Sequence, residues 1–466
     1  MLFSSIPFLY YFLPITLIVY YAVPKRVKNA VLLLASLVFY GWGEPSYVFL
    51  MIGSIIVGYI TGILIEKFPK TVSKRTVLII SLVINLGFLG YFKYADFFIE
   101  NFNKATGISI PLLKVALPIG ISFYTFQIVS YVIDVYWGNV KAQKNLISLA
   151  TYITMFPQLI AGPIVRYSDV EKQLTERTHD FSKISYGIRR FILGLSKKIL
   201  IANVLGEFCS IFSASDEKSI LFYWAYAVAI SLHIYFDFSG YSDMAIGLGS
   251  LLGFSFPENF NYPFISRSAT EFWRRWHMSL GTWFRDYVYI PLGGSRKGNF
   301  RLLINIFVVW LLTGFWHGAE WTFVVWGLYF AVLLVIEKNF LLKILEKHKI
   351  IGHIYLLFVS IFSFIIFDAT TIGDAISKMG KMFGAGDMEF ISTPTIYYLK
   401  SFGVVLLIAI IGATPLPKKL IEWINTKKTG SKILTVLEPV ALVLLLLVCT
   451  GYLVDGSFNP FLYFRF

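Results

Sequence analysis

The stretch LLINIFVVWLLTGFWHGAEWTFVVWGLYFAVLLVI (residues 302–336) decides the fold class of this chain. It holds two apolar runs, residues 302–316 and 321–336, which are separated by the short sequence from His317 to Glu320. Two apolar helices joined by so short a turn form a hairpin, and runs of this kind are typical of a lipid environment. Basic residues flank the stretch on both sides, so both of its ends are predicted to lie in the cytoplasm. This topology lifts His317 into the membrane.

The composition of the whole chain agrees with that interpretation. Of its 466 residues, 57% are hydrophobic, 18% are aromatic and only 15% are charged, whereas about a quarter of a soluble domain is charged. The formal charge of +14 fits cytoplasmic loops that meet anionic lipid, so we expect the lipid bilayer and no nucleic acid as a partner.

Several further apolar runs are candidates for membrane spans, although some are too short or too charged to cross alone. We predict an all-α, polytopic membrane helical bundle of about 11 spans, with re-entrant and interfacial helices, that forms one domain over residues 1–466. The runs are 6–23, 29–41, 47–65, 77–94, 115–136, 146–164, 186–205, 221–236, 302–316, 321–336, 350–367, 402–411 and 436–454.

The cations set the orientation of these runs. Those of residues 25–28 place the first loop inside and the N-terminus outside, and those of residues 418–428 fit an outside C-terminus. Residues 166–198 hold eight cations and four acids, which also favours the cytoplasm. The run 146–164 is then predicted to dip into the membrane and return, because its prolines and glycine break helices. We expect the bacterial inner membrane as the location.

His317 is the first candidate catalytic residue. An ionisable group at membrane depth is by default a functional suspect, and a neutral imidazole is the usual general base for a hydroxyl. Glycines on either side allow tight backbone approach. The alternative is a histidine that only bonds a neighbouring helix.

His277 is the second candidate and lies in the sequence EFWRRWHMSL, residues 271–280. At 100° per residue, the large apolar side chains of residues 273–287 share one face of an amphipathic helix, which we expect at the cytoplasmic interface. His277 lies beside that face and is predicted to point into the protein, although an ordinary interfacial histidine is the alternative. Arg285 and its neighbouring arginines are candidates for attracting a phosphate-bearing thioester carrier, or else they contact lipid headgroups.

A third polar segment is DFSGYSD, residues 237–243, with His233 one helical turn before Asp237. It could orient a substrate, or it could be an interhelical hydrogen-bond network. In total we assign Asp237, Ser239, Trp316, Trp276 and Arg285 to substrate binding. The other three histidines, at positions 179, 348 and 353, are expected to be solvated, and no motif indicates a metal site.

Six stretches of the chain together resemble the membrane-bound O-acyltransferase superfamily, and within it the alginate O-acetylase type. The resemblance runs nearly from end to end. The stretches are MFPQLIAGPIVR (155–166), FDFSGYSDMAIG (236–247), FPENFNYP (256–263), residues 271–294, GFWHGAEW (314–321) and NPFLYFRF (459–466).

The resemblance implies a helical bundle with a central pore, an intramembrane catalytic histidine at the position of His317 and a second polar residue at that of His277. It implies no permanently bound cofactor. The donor would be a cytosolic acyl thioester, such as acetyl-CoA or an acyl carrier protein. The acyl group, most simply acetyl, would pass to an extracytoplasmic SGNH-type partner and then to a polysaccharide.

Two alternatives stay open from the sequence. The D-alanyl transfer branch, which acts on teichoic acid, uses the same scaffold with a small carrier protein as donor. A transporter of polysaccharide or lipid also has many spans and a polar interior. The sequence does not identify the polymer, the acyl donor, the acceptor hydroxyl or the oligomeric state.

Overall fold

A computed structural model describes residues 1–456 of the chain, and every regular element in that range is helical. The predicted all-α class is thus confirmed. The aromatic stretch 459–466 and the C-terminus lie outside the described residues. Seven of the described helices are long and apolar enough to cross a membrane, so the chain is a multi-pass membrane protein. They are Tyr47–Lys67, Thr71–Thr106, Ile220–Leu251, Asn299–His317, Lys349–Asp368, Thr393–Gly412 and Lys428–Val454.

Several of the predicted apolar runs form helices that are shorter than these seven. The run 29–41 gives a helix of 14 residues, Lys28–Gly41, and the run 115–136 becomes helical only at Ile121. The first run gives a shorter apolar helix, Phe8–Ala22, whose first turn is π-helical. The predicted count of about 11 spans includes such short runs, which are apolar enough for a bundle but below the length of a full crossing.

The chain divides into two compact units, and the first comprises Met1–Phe191 and Met244–Pro257. Its helices are α1 (Leu13–Ala22), α2 (Lys28–Gly41), α3 (Tyr47–Lys67), α4 (Thr71–Leu89), α5 (Ala95–Thr106), α6 (Ile121–Trp137), α7 (Leu146–Thr154), α8 (Phe156–Leu159), α9 (Tyr167–Thr175) and most of α10 (Phe181–Ser196).

Small residues bring α3 close to α6. A Cβ atom on Gly58 would lie 2.9 Å from the side chain of Ile128, and one on Gly62 would lie 2.6 Å from the hydroxyl of Tyr131. The two glycines face α6 because they are four residues apart on one helix face. Their role in helix packing follows from this contact.

The run 146–164 does not form one continuous helix. Its first part, α7, ends at Thr154, and Met155 has non-helical backbone angles (φ −48°, ψ 111°) before the short helix α8 that contains Pro157. The break fits the prediction from the proline and glycine content, since a proline ring clashes with the preceding helical turn.

The second unit comprises Ile192–Asp243 and Glu258–Phe466. Its described helices are α11 (Asn203–Ala214), most of α12 (Ile220–Leu251), α13 (Ala269–Trp273), α14 (Met278–Phe284), α15 (Asn299–His317), α16 (Trp321–Ile336), α17 (Leu342–Lys347), α18 (Lys349–Asp368), α19 (Ile372–Met382), α20 (Thr393–Gly412), α21 (Leu416–Asn425) and α22 (Lys428–Val454).

Helices α15 and α16 form the predicted hairpin. Their backbones touch at Gly314 and Gly327, because a Cβ atom on either glycine would overlap the carbonyl oxygen of Phe323 or of Trp310. Such close approach of two helices requires residues without a side chain. His317 is the last residue of α15 and lies at the closed end of the hairpin.

Candidate active site

His317 lies in a pocket of aromatic rings within the second unit. Its side chain is 7% exposed. The centroids of Trp316, Trp326 and Phe367 lie 5.0, 5.1 and 5.2 Å from that of the imidazole, each nearly perpendicular to it. These edge contacts fix the ring at the tip of the hairpin.

His277 has a different local structure from the one predicted. The expected amphipathic helix through residues 273–287 is wrong, because α13 ends at Trp273 and α14 begins only at Met278. His277 lies between them with φ 43° and ψ 51°, in the left-handed region. A non-glycine residue adopts this conformation only when its surroundings hold it there. The prediction that its side chain points into the protein is confirmed, since it is 1% exposed.

The two histidines lie side by side, with ring centroids 6.4 Å apart. α15 has 19 residues, so its last residue lies about 27 Å along the helix axis from its first. The first turns of α15 are tied to the preceding basic loop by Asn305, which donates a hydrogen bond to the carbonyl of Gly294 at 2.9 Å. His277 therefore lies at the far end of α15 from that loop, at the level of His317.

Asn259 determines which nitrogen of His277 carries the proton. Its side-chain oxygen Oδ1 accepts the backbone N–H of Ser279 at 3.2 Å and the Ser279 hydroxyl at 2.9 Å. Because a backbone N–H can only donate, this atom is an oxygen. His277 Nδ1 lies 3.2 Å from the same atom and must donate to it. The second nitrogen, Nε2, then carries a lone pair.

The Nε2 atom of His277 is buried and has no hydrogen-bond partner among residues 1–456. The ring of Phe238 covers the imidazole at 4.6 Å. An apolar environment disfavours the imidazolium ion. His277 is therefore expected to be neutral, and Nε2 is a hydrogen-bond acceptor.

The polar segment of α12, residues 237–243, makes contacts to a neighbouring helical turn, as predicted for an interhelical hydrogen-bond network. Asp237 forms an ion pair of 2.5 Å with Lys198, and both side chains are almost fully buried. His233 donates from Nδ1 to the carbonyl oxygen of Ala202 at 2.6 Å. These contacts join α12 to the π-helical turn Lys197–Ala202. Substrate binding by Asp237 stays a prediction.

The other four residues assigned to substrate binding lie in different surroundings. Trp316 is buried beside both histidines, 5.7 Å from the ring of His277. Ser239 is also buried, and its hydroxyl meets no hydrogen-bond partner in the described part of the chain. Trp276 instead packs into an aromatic cluster, stacked on Phe272 at 5.4 Å. Arg285 is exposed and pairs with Asp286 at 2.7 Å, so the structure does not bring it to the buried pair of histidines.

The expectation that His179 is solvated is wrong. This histidine is half-buried in the first unit, and its Nε2 lies 2.8 Å from the hydroxyl of Tyr20. His348 is exposed, as predicted.

Two residues of the second unit have contacts that the sequence interpretation missed. Asn259 lies in the stretch 256–263, for which the sequence predicts no contact. Lys198 lies in the apolar run 186–205, where a lysine at membrane depth was a usable signal. Their partners are 18 and 39 residues away in sequence, which periodicity does not reveal.

Comparison with known proteins shows the family of the chain. Residues 140–370 match the model of the membrane-bound O-acyltransferase family. A Pseudomonas putida protein named "Probable alginate O-acetylase AlgI" is 39% identical over 100% of both chains. The chain belongs to the membrane-bound O-acyltransferase family.

This O-acyltransferase is also similar to more distant relatives. A Helicobacter pylori protein named peptidoglycan O-acetyltransferase is 35% identical over 73% of this chain and 71% of its own length. A Bacillus subtilis protein named teichoic acid D-alanyltransferase is 35% identical over 50% of this chain and 61% of its own length. Both His277 and His317 lie within the residues that match the model of the O-acyltransferase family.

Proposed function

We propose that this O-acyltransferase moves an acetyl group from a cytosolic thioester to the outside of the membrane, where an extracellular polysaccharide becomes O-acetylated. The observation that carries the proposal is the pair of buried imidazoles at 6.4 Å, placed at the end of a helix long enough to cross the membrane. The names of the relatives that match most of the chain support an acetyl group and a polymer acceptor.

The proposed reaction needs one base. The oxygen of the acceptor hydroxyl attacks the carbonyl carbon of the thioester, and its proton passes to His317. The carbon–sulfur bond then breaks, and the departing thiolate takes up that proton. A histidine in a position to accept a proton in this way contributes about 10²–10⁴-fold to the rate.

His277 has a different role in the proposal, because its tautomer limits what it can do. With Nδ1 donating to Asn259, the inward nitrogen Nε2 can accept a hydrogen bond but cannot donate one to the acyl carbonyl. We assign it to holding the donor, either through an amide N–H of the thioester arm of acetyl-CoA or through that of an acyl carrier protein. Both carriers have such groups.

The acceptor side of the proposal concerns the outside of the cell. The acetyl group reaches the polysaccharide directly or through an extracytoplasmic SGNH-type partner. We place the protein in the bacterial inner membrane, with the N- and C-termini outside. The support for this placement is the distribution of cations in the predicted loops, since basic loops stay in the cytoplasm.

D-alanyl transfer to teichoic acid is the second candidate, and it rests on the match to the Bacillus subtilis relative. That match covers half of this chain, whereas the match to the Pseudomonas putida protein covers all of it. A neighbouring gene for a D-alanine carrier ligase would favour D-alanyl transfer, and one for an SGNH-type protein would favour acetylation. Transport of polysaccharide or lipid, the alternative of another class, has no support from the family.

A deletion strain tests the proposal. Mass spectrometry of its secreted polymer should show normal export of material without acetyl esters, and wild-type protein should restore the esters. His317→Ala at wild-type abundance should not restore them, whereas His348→Ala should. Loss of D-alanyl esters instead would favour the second candidate. Failure of export would favour a transporter, and full acetylation in the deletion strain would contradict the proposal.

A further inference from the structure

A second polar centre lies in the first unit, around the hydroxyl of Tyr20 near the end of α1. This hydroxyl donates to the carbonyl oxygen of Leu252 at 2.6 Å. Its oxygen is 2.7 Å from Nε of Arg177, which can only donate, and 2.8 Å from Nε2 of His179. Since the single proton of Tyr20 goes to Leu252, His179 Nε2 also donates to the oxygen.

Two cations of this centre lie among neutral groups. The Nζ atom of Lys28 lies over the rings of Tyr20 and Tyr21, at 4.4 and 5.0 Å from their centroids. Its side chain is buried, with 8% exposure. Arg177 donates from Nη1 to the side-chain oxygen of Asn29 at 2.7 Å and covers the ring of Phe254 at 4.8 Å. Neither cation pairs with a carboxylate within residues 1–456.

The local field is therefore positive without compensation. Burial, and then Arg177 and Lys25, lower the pKa of Lys28. Burial, and then Lys28 and Arg177, lower the pKa of His179 to about 4. Partly buried cations that repel one another are costly unless an anion joins them. The nearest acids in sequence, at positions 176 and 180, are exposed.

The position of the polar centre indicates which class of anion would bind to it. It lies where the apolar helix α1 ends and α2 begins, beside the basic residues 25–28 that are predicted to face the cytoplasm. Tyrosine rings at the end of an apolar helix are typical of the headgroup level of a bilayer. Basic pockets between helices on this side of a membrane bind the phosphates of lipid headgroups.

We propose that Lys28 and Arg177 form a binding site for a phosphate ester at the cytoplasmic surface. Lys28 supplies a point charge, and Nη2 of Arg177, which makes no hydrogen bond to any described residue, supplies a directed donor. The ester is carried by an anionic phospholipid or by a soluble carrier such as coenzyme A. Only the second source rests on the proposed acetyl transfer.

Binding to the purified full-length protein tests this site. The probes are nanodiscs of phosphatidylcholine alone, nanodiscs with added phosphatidylglycerol, and coenzyme A in solution. Retained phosphatidylglycerol is counted by native mass spectrometry, and the thermal unfolding midpoint is followed with each probe. We expect phosphatidylglycerol or coenzyme A to bind and to raise the midpoint in the wild type. Lys28→Met and Arg177→Met should each weaken that binding about tenfold, because each removes one charged partner.

Matched variants separate the site from general charge effects. Lys28→Arg keeps the cation and should retain binding. Lys67→Met removes an exposed lysine of another basic loop and should also retain it. If Lys28→Met and Arg177→Met lose binding of phosphatidylglycerol alone, the site is assigned to a lipid. If they lose binding of coenzyme A alone, it is assigned to a soluble ester. Equal binding by Lys28→Met and Lys67→Met overturns the proposal. So does a wild type that prefers neither anionic probe, a result that holds even if the variants misfold.

Discussion

Asn259 Oδ1 lies 3.2 Å from Nδ1 of His277 and at the same time accepts two hydrogen bonds from Ser279. The asparagine is thus both the acceptor that fixes the imidazole tautomer and the group that holds the first turn of α14. Its backbone carbonyl also accepts the N–H of Met278 at 3.0 Å. One residue therefore maintains the left-handed conformation of His277 and the direction of its Nε2 lone pair.

Replacing Asn259 with aspartate should make acyl transfer dependent on pH in a new range. The carboxylate keeps the acceptor oxygen but favours the imidazolium ion, so it raises the pKa of His277. Protonation turns Nε2 from an acceptor into a donor. Activity at pH 6 relative to pH 8 should be lower in Asn259→Asp than in the wild type, measured with radiolabelled acetyl-CoA in proteoliposomes. Ser279→Ala, which leaves the Asn259 to His277 contact in place, is the control, and the same pH shift in that variant would contradict the argument.

His317→Ala should lower the rate of acyl transfer by about 10²–10⁴-fold, the usual contribution of a general base. Binding of the donor should change less, because the imidazole acts on the proton in the transition state. The rate and KM for the thioester are measured side by side. His348→Ala, on an exposed position, should match the wild type. A variant at position 317 that turns over normally would exclude the assigned role.

The hairpin is predicted to depend on the two glycines where its helices touch. Gly314→Ala would place a methyl group against the carbonyl oxygen of Phe323, which forces the backbones apart at a cost of about 1–3 kcal/mol. The unfolding midpoint should fall, and activity should fall with it because His317 lies three residues further along α15. Gly403→Ala in α20 has open space around it and should be neutral or slightly stabilising. Equal midpoints for the two variants would argue against close packing at the hairpin.

The hairpin could be predicted from sequence because its signals are local. Residues 302–336 consist of two apolar runs joined by a short turn. This local pattern alone predicts two helices with His317 at the turn that joins them. The orientation of the His277 ring could also be predicted, since the surrounding tryptophans indicate which side is buried. The break in the predicted helix through residues 273–287 could not be predicted, because helical periodicity does not reveal the single left-handed residue at position 277.

Contacts over long sequence distances account for the rest. Asn259 and Lys198 meet their partners only after the helices have packed, and no spacing rule links an asparagine in a loop to a histidine 18 residues later. The environment of His179 could not be predicted for the same reason, because Tyr20, whose hydroxyl contacts it, is 159 residues away in sequence.

Replacing one partner of the buried ion pair of Lys198 and Asp237 should destabilise the protein more than replacing both partners with apolar residues. Lys198→Met leaves a buried carboxylate without its main counter-charge, which costs about 3–5 kcal/mol. The double variant Lys198→Met with Asp237→Leu should recover much of that loss. Chemical unfolding in micelles gives the free energy of unfolding of the wild type, of each single variant and of the double variant. Lys418→Ala, in a pair whose side chains are 64% and 62% exposed, should cost under about 1 kcal/mol. Additive losses in the double variant would show that the pair does not act as a unit.

The half-buried His179 should make the protein less stable as the pH falls below neutrality. Its ordinary pKa is about 6.5, and in the folded protein burial and the cations Lys28, Arg177 and Lys183 lower it to about 4. The unfolded chain then binds more protons between these values, so the stabilisation is complete above pH 6.5 and is lost as the pH falls toward 4. The thermal midpoint of the wild type should drop between pH 7 and pH 5, and the drop should be smaller in His179→Gln. His348→Gln should leave it unchanged, and a wild-type slope in His179→Gln would assign the pH sensitivity to other groups.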